Sequence, residues 1–190
     1  MAPHRVLIVY GTSYGQTARI ASRIHQLLAH QGFDVTVRKG DELGSALNPV
    51  SYDGVLVGAS MIRHGYQQYM RAFVHRHASI LNGMPSAFFA VSGSAGSANG
   101  AERDEAKRLA DRFCRSAGWQ PMMIESIAGA IAYTKYNWLL RWVMKRISAR
   151  EGGSTDTSRD HEYTDWSQVE RFAVGFGARV DEALALAAVR

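Results

Sequence analysis

A single cysteine, Cys114, stands among 190 residues. That excludes an internal disulfide framework and a thiolate-cluster metal site, and it fits a reducing compartment. No stretch reaches the roughly 20 apolar residues that a bilayer-spanning helix needs. The opening Met1-Ala2-Pro3-His4 leads into no basic segment followed by a long apolar run, so no signal peptide is expected. A cytoplasmic protein is expected, attached at most to the inner face of the cell membrane. The histidines show no ligand spacing: His75 and His77 are two apart on a predicted helix and point apart, and no metal is expected. Neither a Gly-x-x-x-x-Gly-Lys-Ser/Thr loop nor a Gly-x-Gly-x-x-Gly fingerprint occurs. No helix-turn-helix, zinc-finger or RNA-recognition signature occurs either, so nucleic acid is not an expected partner. Acidic residues are missing from two long stretches. Residues 54–101 have none but carry Arg63, Arg71 and Arg76, and residues 126–150 have none but carry Lys135, Arg141, Lys145, Arg146 and Arg150. The formal charge is +5. Such stretches suit an anionic surface or a carboxylated small molecule, and equally a solvated basic face.

What is present reads as one globular domain, residues 1–190. Hydrophobic residues make up 46% and charged residues 21%, a balance that can bury one full core at this length but not two. Apolar, β-branched runs predict buried strands at 5–10, 54–59, 87–91 and 122–130. A further strand is predicted around Val35 and Val37, ending near Lys39. Helical spacing predicts a helix from Thr17 to about Gln31, stopped by Gly32, with Ile20, Ile24, Leu27 and Leu28 on one face. Further helices are predicted at 69–77 and 101–117. Met70, Phe73 and Val74 point inward from the first of these, and Leu109, Ala110, Phe113 and Cys114 from the second. Asp165, with Gln168 as its capping-box partner, starts a last helix that aligns Val169, Phe172, Ala173, Phe176 and Val180.

Alternation of this kind predicts an α/β fold: an open five-stranded parallel sheet with helices on both faces. An insertion at 131–164 interrupts it after the fifth strand. In such sheets ligands bind beyond the carboxyl ends of the strands. That rule selects the loops 11–16, 60–66 and 92–100.

The first loop, Thr12-Ser13-Tyr14-Gly15-Gln16-Thr17, joins the first strand to the first helix. Its hydroxyls donate hydrogen bonds, Gly15 permits a tight turn, and the helix adds free N–H groups and a positive dipole end. Together these hold a phosphate monoester without a lysine, or simply cap a structural helix.

This hydroxyl-rich loop resembles the phosphate loop of the flavodoxin family. Later segments sharpen the resemblance toward one subgroup, the menaquinone-dependent protoporphyrinogen IX dehydrogenases: Gly58-Ala59-Ser60-Met61-Ile62-Arg63-His64-Gly65-Tyr66, Met84-Pro85-Ser86-Ala87-Phe88-Phe89, Ile127-Ala128-Gly129-Ala130, Gly152-Gly153-Ser154-Thr155-Asp156-Thr157 and Tyr163-Thr164-Asp165-Trp166. The resemblance runs from about Arg5 to Phe172 and implies the strand order 2-1-3-4-5. It implies that Thr12 to Thr17 bind the phosphate of FMN, and that Ser60, Met61, Ile62, Arg63, Tyr66, Ser92, Gly93, Ser94 and Asn99 flank the isoalloxazine ring. Two placements are open to Tyr66, stacked on the flavin or packed on the sheet edge. Arg63 and His64 are implied at the mouth, against tetrapyrrole carboxylates, or else as an ion-paired arginine and a surface histidine. No side chain is assigned as a catalytic acid or base, because the cofactor carries the redox chemistry. The implied reaction is dehydrogenation of protoporphyrinogen IX with menaquinone or another quinone as acceptor. A generic flavodoxin-like quinone reductase and a non-enzymatic electron carrier are the alternatives.

Within the insertion, residues 133–147 mix Trp138, Leu139, Trp142, Val143, Met144 and Ile147 with Arg141, Lys145 and Arg146. A segment of that length cannot cross a bilayer but can lie in its interface, where tryptophans and cations suit anionic lipid. The other reading is a helix packed on the core, or a homo-oligomer face. Cys114 reads as a buried structural thiol.

Overall fold

The computed structural model describes residues 2–44, 47–62, 65–131, 156, 158 and 161–188. Its elements, in chain order, are β1 (Arg5–Gly11), α1 (Gln16–His30), β2 (Asp34–Lys39), β3 (Gly54–Ile62), β4 (Gly65–Tyr66), α2 (Gln68–Asn82), β5 (Ser86–Ser92), α3 (Gly100–Ser116), β6 (Met123–Ala128), β7 (Ala130–Ile131), β8 (His161–Glu162) and α4 (Trp166–Ala188). Short 3-10 turns lie at Pro49–Ser51 and Ser94–Gly96.

The sheet runs β2-β1-β3-β5-β6, with every pair along this path parallel. Counting these five strands alone, the order is the expected 2-1-3-4-5. Side-chain alternation divides the core into two layers. Val6, Ile8 and Leu56 pack with Ile20, Ile24 and Leu28 of α1 and Phe172, Phe176 and Val180 of α4. Leu7, Val9, Val55 and Val57 pack with Met70, Phe73 and Val74 of α2 and Ala110, Phe113 and Cys114 of α3. A period of two on the strands therefore meets a period near 3.6 on each helix pair. All seven residues of β5, in the sheet interior, are buried. Trp119 closes the α3 side: its indole N–H donates to Ser86 Oγ at 2.9 Å, and that hydroxyl donates to Leu81 O at 2.7 Å.

Several elements differ from the sequence expectation. β3 continues past Ala59 to Ile62, then folds back as a hairpin in which Met61 pairs with Tyr66 and Ile62 with Gly65. Much of the loop expected at 60–66 is therefore strand. α2 runs beyond His77 to Asn82, because Leu81 returns to the buried face seven residues after Val74. The fifth strand, expected at 122–130, breaks at Gly129; β6 stays in the main sheet, and β7 pairs antiparallel with β8. Leu109 is half-buried, while Ala106 joins the core. At α4, Asp165 Oδ1 accepts from Ser167 N at 2.9 Å, which is an N-cap. Gln168 does not complete the expected capping box. Its amide donates instead to Glu125 Oε1 at 2.5 Å and Ser126 O at 3.1 Å, on the edge strand.

The basic-aromatic segment 133–147 and the Gly152 to Thr155 motif lie outside the described residues. Among the described residues no helix is long and apolar enough to cross a membrane.

Candidate functional site

Strand register brings the three selected loops together. Gly11 lies opposite Ala59, Ser60 opposite Val91, and Ser92 opposite Ala128. Their exits form one row at the carboxyl edge. The chain leaves β1 toward β2 on one side and leaves β3 toward β5 on the other, so the crevice between β1 and β3 is the switch point of the sheet.

The turn before α1 is shaped from within. Gly15 takes φ 100°, the left-handed region open to glycine. Its N–H donates to Thr12 Oγ1 at 2.9 Å, which folds the loop over the helix start. No side chain caps α1, and the N–H groups of Gln16, Thr17 and Ala18 have no acceptor within the helix. Thr17 is 0% exposed, and its hydroxyl has no hydrogen-bond partner. A buried hydroxyl left unpaired costs on the order of 1–3 kcal/mol. An anionic oxygen at this turn relieves that cost and also meets the positive end of α1. The turn contains no lysine or arginine. Donors of this kind fit the phosphate of FMN.

Gln16 was expected to face the ligand. Its side chain turns outward instead, donating to Glu162 Oε1 at 2.7 Å and Thr164 Oγ1 at 2.9 Å. Arg19 joins Glu162 at 3.1 Å, and Thr164 donates to Ala128 O at 2.7 Å. This clasp ties the first turn of α1 to the end of β6, leaving only the Gln16 backbone N–H for the loop.

At the β3 exit, Ser60 Oγ accepts from the Gln67 amide at 2.6 Å. Met61 is half-buried and Ile62 ends the strand, while Arg63 and His64 lie outside the described residues. The Tyr66 ring packs edge-on to Phe88, centroids 5.5 Å apart, and tilted on Phe113 at 4.9 Å. Of the two placements open to Tyr66, the structure shows packing into the α2–α3 layer. Burial pushes its phenol pKa up.

After β5, Ser92 Oγ accepts from Ala95 N at 3.2 Å and lies 3.3 Å from Ser94 Oγ. Gly129 N donates to Ser92 O at 2.9 Å, which fixes this exit against the end of β6. Gly93 has open space where a Cβ would stand. Asn99, expected to touch the flavin, has its side-chain oxygen engaged elsewhere: it accepts from Ala101 N at 3.0 Å and caps α3.

Three residues that sequence reasoning passed over contact the candidate loops. Gln67 joins two of the loops, Glu162 holds the first turn of α1, and Tyr69 meets the Thr12 backbone with its hydroxyl. Burial raises the Tyr69 pKa, and the Asp41 carboxylate adds to the shift. None of the three sits in a motif; only the tertiary pairing of β1, β3 and β8 brings them in. Cys114 lies in the α3 layer, 1% exposed, its thiol pushed up to about 12 by burial, with Asp111 adding. Among the described residues, no group of three or more His, Cys, Asp or Glu is placed to hold a metal ion.

Comparison with known proteins agrees with this fold. The flavodoxin domain family matches residues 7–158. Protoporphyrinogen IX dehydrogenase [quinone] of Escherichia coli K12 is 37% identical over 176 residues, covering 89% of this chain and 92% of the relative. The protein of the same name from Leishmania major is 34% identical over 183 residues, covering 92% of this chain and 75% of that one. Among solved structures, a flavodoxin from the domain Archaea superposes with a TM-score of 0.58 at 17% identity. That match covers 93% of this chain and 99% of the other, and it shows the shared fold.

Proposed function

The chain belongs to the flavodoxin domain family and groups with its quinone-dependent protoporphyrinogen IX dehydrogenases, and from that premise we propose that it is an FMN enzyme which dehydrogenates protoporphyrinogen IX and passes the electrons to a quinone. The observation that carries the reading is an intact phosphate turn in a chain of this kinship: Thr17, fully buried, offers an unpartnered hydroxyl beside the free N–H groups of α1. FMN held there would supply the two-electron redox chemistry that links tetrapyrrole oxidation to quinone reduction.

The chain's own residues hold that group and shape its surroundings. Thr12 Oγ1 keeps the turn folded through Gly15. The Thr17 hydroxyl and the N–H groups of Gln16 and Ala18 bind the phosphate oxygens. The exits of β3 and β5, at Ser60 and at Ser92 to Ser94, flank the ring. Backbone N–H groups there stabilise negative charge on it without a proton-transfer residue. Arg63 and His64 follow directly on β3 and are proposed to meet the tetrapyrrole carboxylates; a guanidinium binds such a group in bidentate fashion.

Peripheral membrane contact belongs to the same proposal and rests on sequence. Trp138 and Trp142 supply apolar area, and Arg141, Lys145 and Arg146 supply charge for anionic lipid. A lipid-soluble quinone is thereby brought to the site.

Two measurements test the reading. Mass analysis of the cofactor released by heat is expected to give FMN. Anaerobic protoporphyrinogen IX with a menaquinone analogue is expected to yield protoporphyrin IX and three equivalents of quinol. Recovery of FAD, or failure of flavin-loaded protein to form protoporphyrin IX, overturns the corresponding half.

A further inference from the structure

Gln67 occupies the N-cap position of α2 yet makes no side-chain cap to its own helix. N-cap positions favour short side chains such as Ser, Thr, Asp and Asn, and a glutamine here serves something else. Its Nε2 donates to Ser60 Oγ at 2.6 Å and to Ser13 Oγ at 3.1 Å. One amide nitrogen, with two protons, thus joins the exit of β3 to the turn after β1.

The surroundings fix the amide in place. A Cβ on Gly11 would stand 2.8 Å from Gln67 Oε1 and 2.6 Å from Met70 Cγ, so the end of β1 leaves room for this side chain only by being glycine. The Oε1 atom is buried without a partner, and the two serines are what hold the amide. Tyr69, two residues on, meets the Thr12 backbone. The first turn of α2 is therefore the seat on which the phosphate turn rests.

We infer that Gln67 is a positioning residue for the cofactor, setting the spacing between the phosphate turn and the β3 exit by bonding both Ser13 and Ser60. This rests on the FMN reading. A flavin with a phosphate must satisfy both loops at once, whereas riboflavin engages only the exits beside the ring. Loss of the bridge therefore penalises FMN selectively.

The test compares FMN and riboflavin binding by the full-length protein and by Gln67→Met, which keeps the length but cannot hydrogen-bond. The FMN dissociation constant is expected to rise about tenfold and that of riboflavin by less than about threefold. The visible absorption bands of bound FMN should shift as the β3 exit moves. Unchanged binding of both flavins, or equal weakening of both, overturns the inference. If Gln67→Met does not fold, Ser60→Ala removes one of the two bonds and leaves both the Gln67 stem and the phosphate turn in place. The same selective loss is then expected, and equal losses overturn it. Wild-type protein that binds no FMN is a different outcome: the flavin reading itself falls and takes this inference with it.

Discussion

At the scale of single residues, Thr17 and Cys114 are both buried polar groups, and their contrast separates binding from packing. The Thr17 hydroxyl has no partner in the protein, so removing it takes nothing from the fold. Thr17→Val should leave the apo-protein as stable as wild type, or slightly more so. It should weaken FMN by roughly 1.5–3 kcal/mol, the worth of a hydrogen bond to a charged group. Flavin fluorescence titration beside apo-protein melting separates the two effects; an unchanged FMN affinity would place the phosphate elsewhere. Thr17 stands out as a candidate in the sequence because hydroxyls and a glycine crowd the junction of a strand and a helix. Asn99 shows how such a position stays ambiguous in sequence: asparagine at a loop–helix junction suits a ligand or a cap, and here its side-chain oxygen caps α3 at 3.0 Å from Ala101 N. Gln67 could not be read at all, because Ser13 lies 54 residues away along the chain. Cys114 is held protonated, its pKa raised from 9.0 to about 12 chiefly by burial. A raised folded pKa means that the native state keeps a proton the unfolded chain gives up. The associated stability is fully present below pH 9.0 and is lost as pH rises toward 12. Stability should therefore fall between those limits, and Cys114→Ala, though less stable at neutral pH, should fall less steeply. Chemical denaturation at stepped pH measures both slopes; parallel slopes would mean that the thiol titrates alike in both states.

Among the elements, strands with continuous apolar runs were plain in the sequence, and their ends were not. β3 outran its expected end because Ser60, Met61 and Ile62 continue in strand geometry once Gly65 and Tyr66 fold back to pair with them. Such pairing is tertiary information, and no local pattern in the chain carries it. Gly129 shows the opposite effect: an apolar run read as one strand is cut where its N–H turns to Ser92 O and its carbonyl accepts from Tyr163 N. Within β3, Gly58 fixes how the sheet meets its neighbours. A Cβ there would stand 2.0 Å from Phe89 Cζ, and Phe89 belongs to the layer beneath α1 and α4. Gly58→Ala would force that ring off its rotamer, and overpacking of this kind typically costs about 1–3 kcal/mol. The melting temperature should drop by several degrees. The double substitution Gly58→Ala with Phe89→Leu should recover part of the loss. A single substitution as stable as wild type would mean that the ring moves freely.

Over the whole molecule, the sheet order and the two layers put every candidate cofactor loop at one end, and the chain enters its insertion from that same end. β7 follows Gly129 directly after β6, and β8 returns the chain to Thr164, whose hydroxyl bonds Ala128 O at 2.7 Å. The insertion therefore begins and ends beside the exits of β5 and β6, whatever course it takes between. Its residues 133–147 carry Trp138 and Trp142 with Arg141, Lys145 and Arg146 and no carboxylate. Tryptophans bring apolar area to a lipid interface, and long cations keep their heads in water by extending their stems. On the proposed membrane reading, a quinone with a long apolar tail would be met where it resides. Trp138→Ser with Trp142→Ser should reduce cosedimentation with anionic vesicles and turnover with a long-tailed quinone, while FMN content and activity with a soluble quinone stay near wild type. Raising the salt should weaken vesicle binding of the wild-type protein, since attraction between surface charges is screened beyond roughly 8–10 Å at physiological ionic strength. Neutral vesicles supply the control. Wild-type protein that ignores anionic vesicles, combined with a double substitution that unfolds the chain or splits an oligomer, would assign the segment to core or interface and overturn the membrane reading.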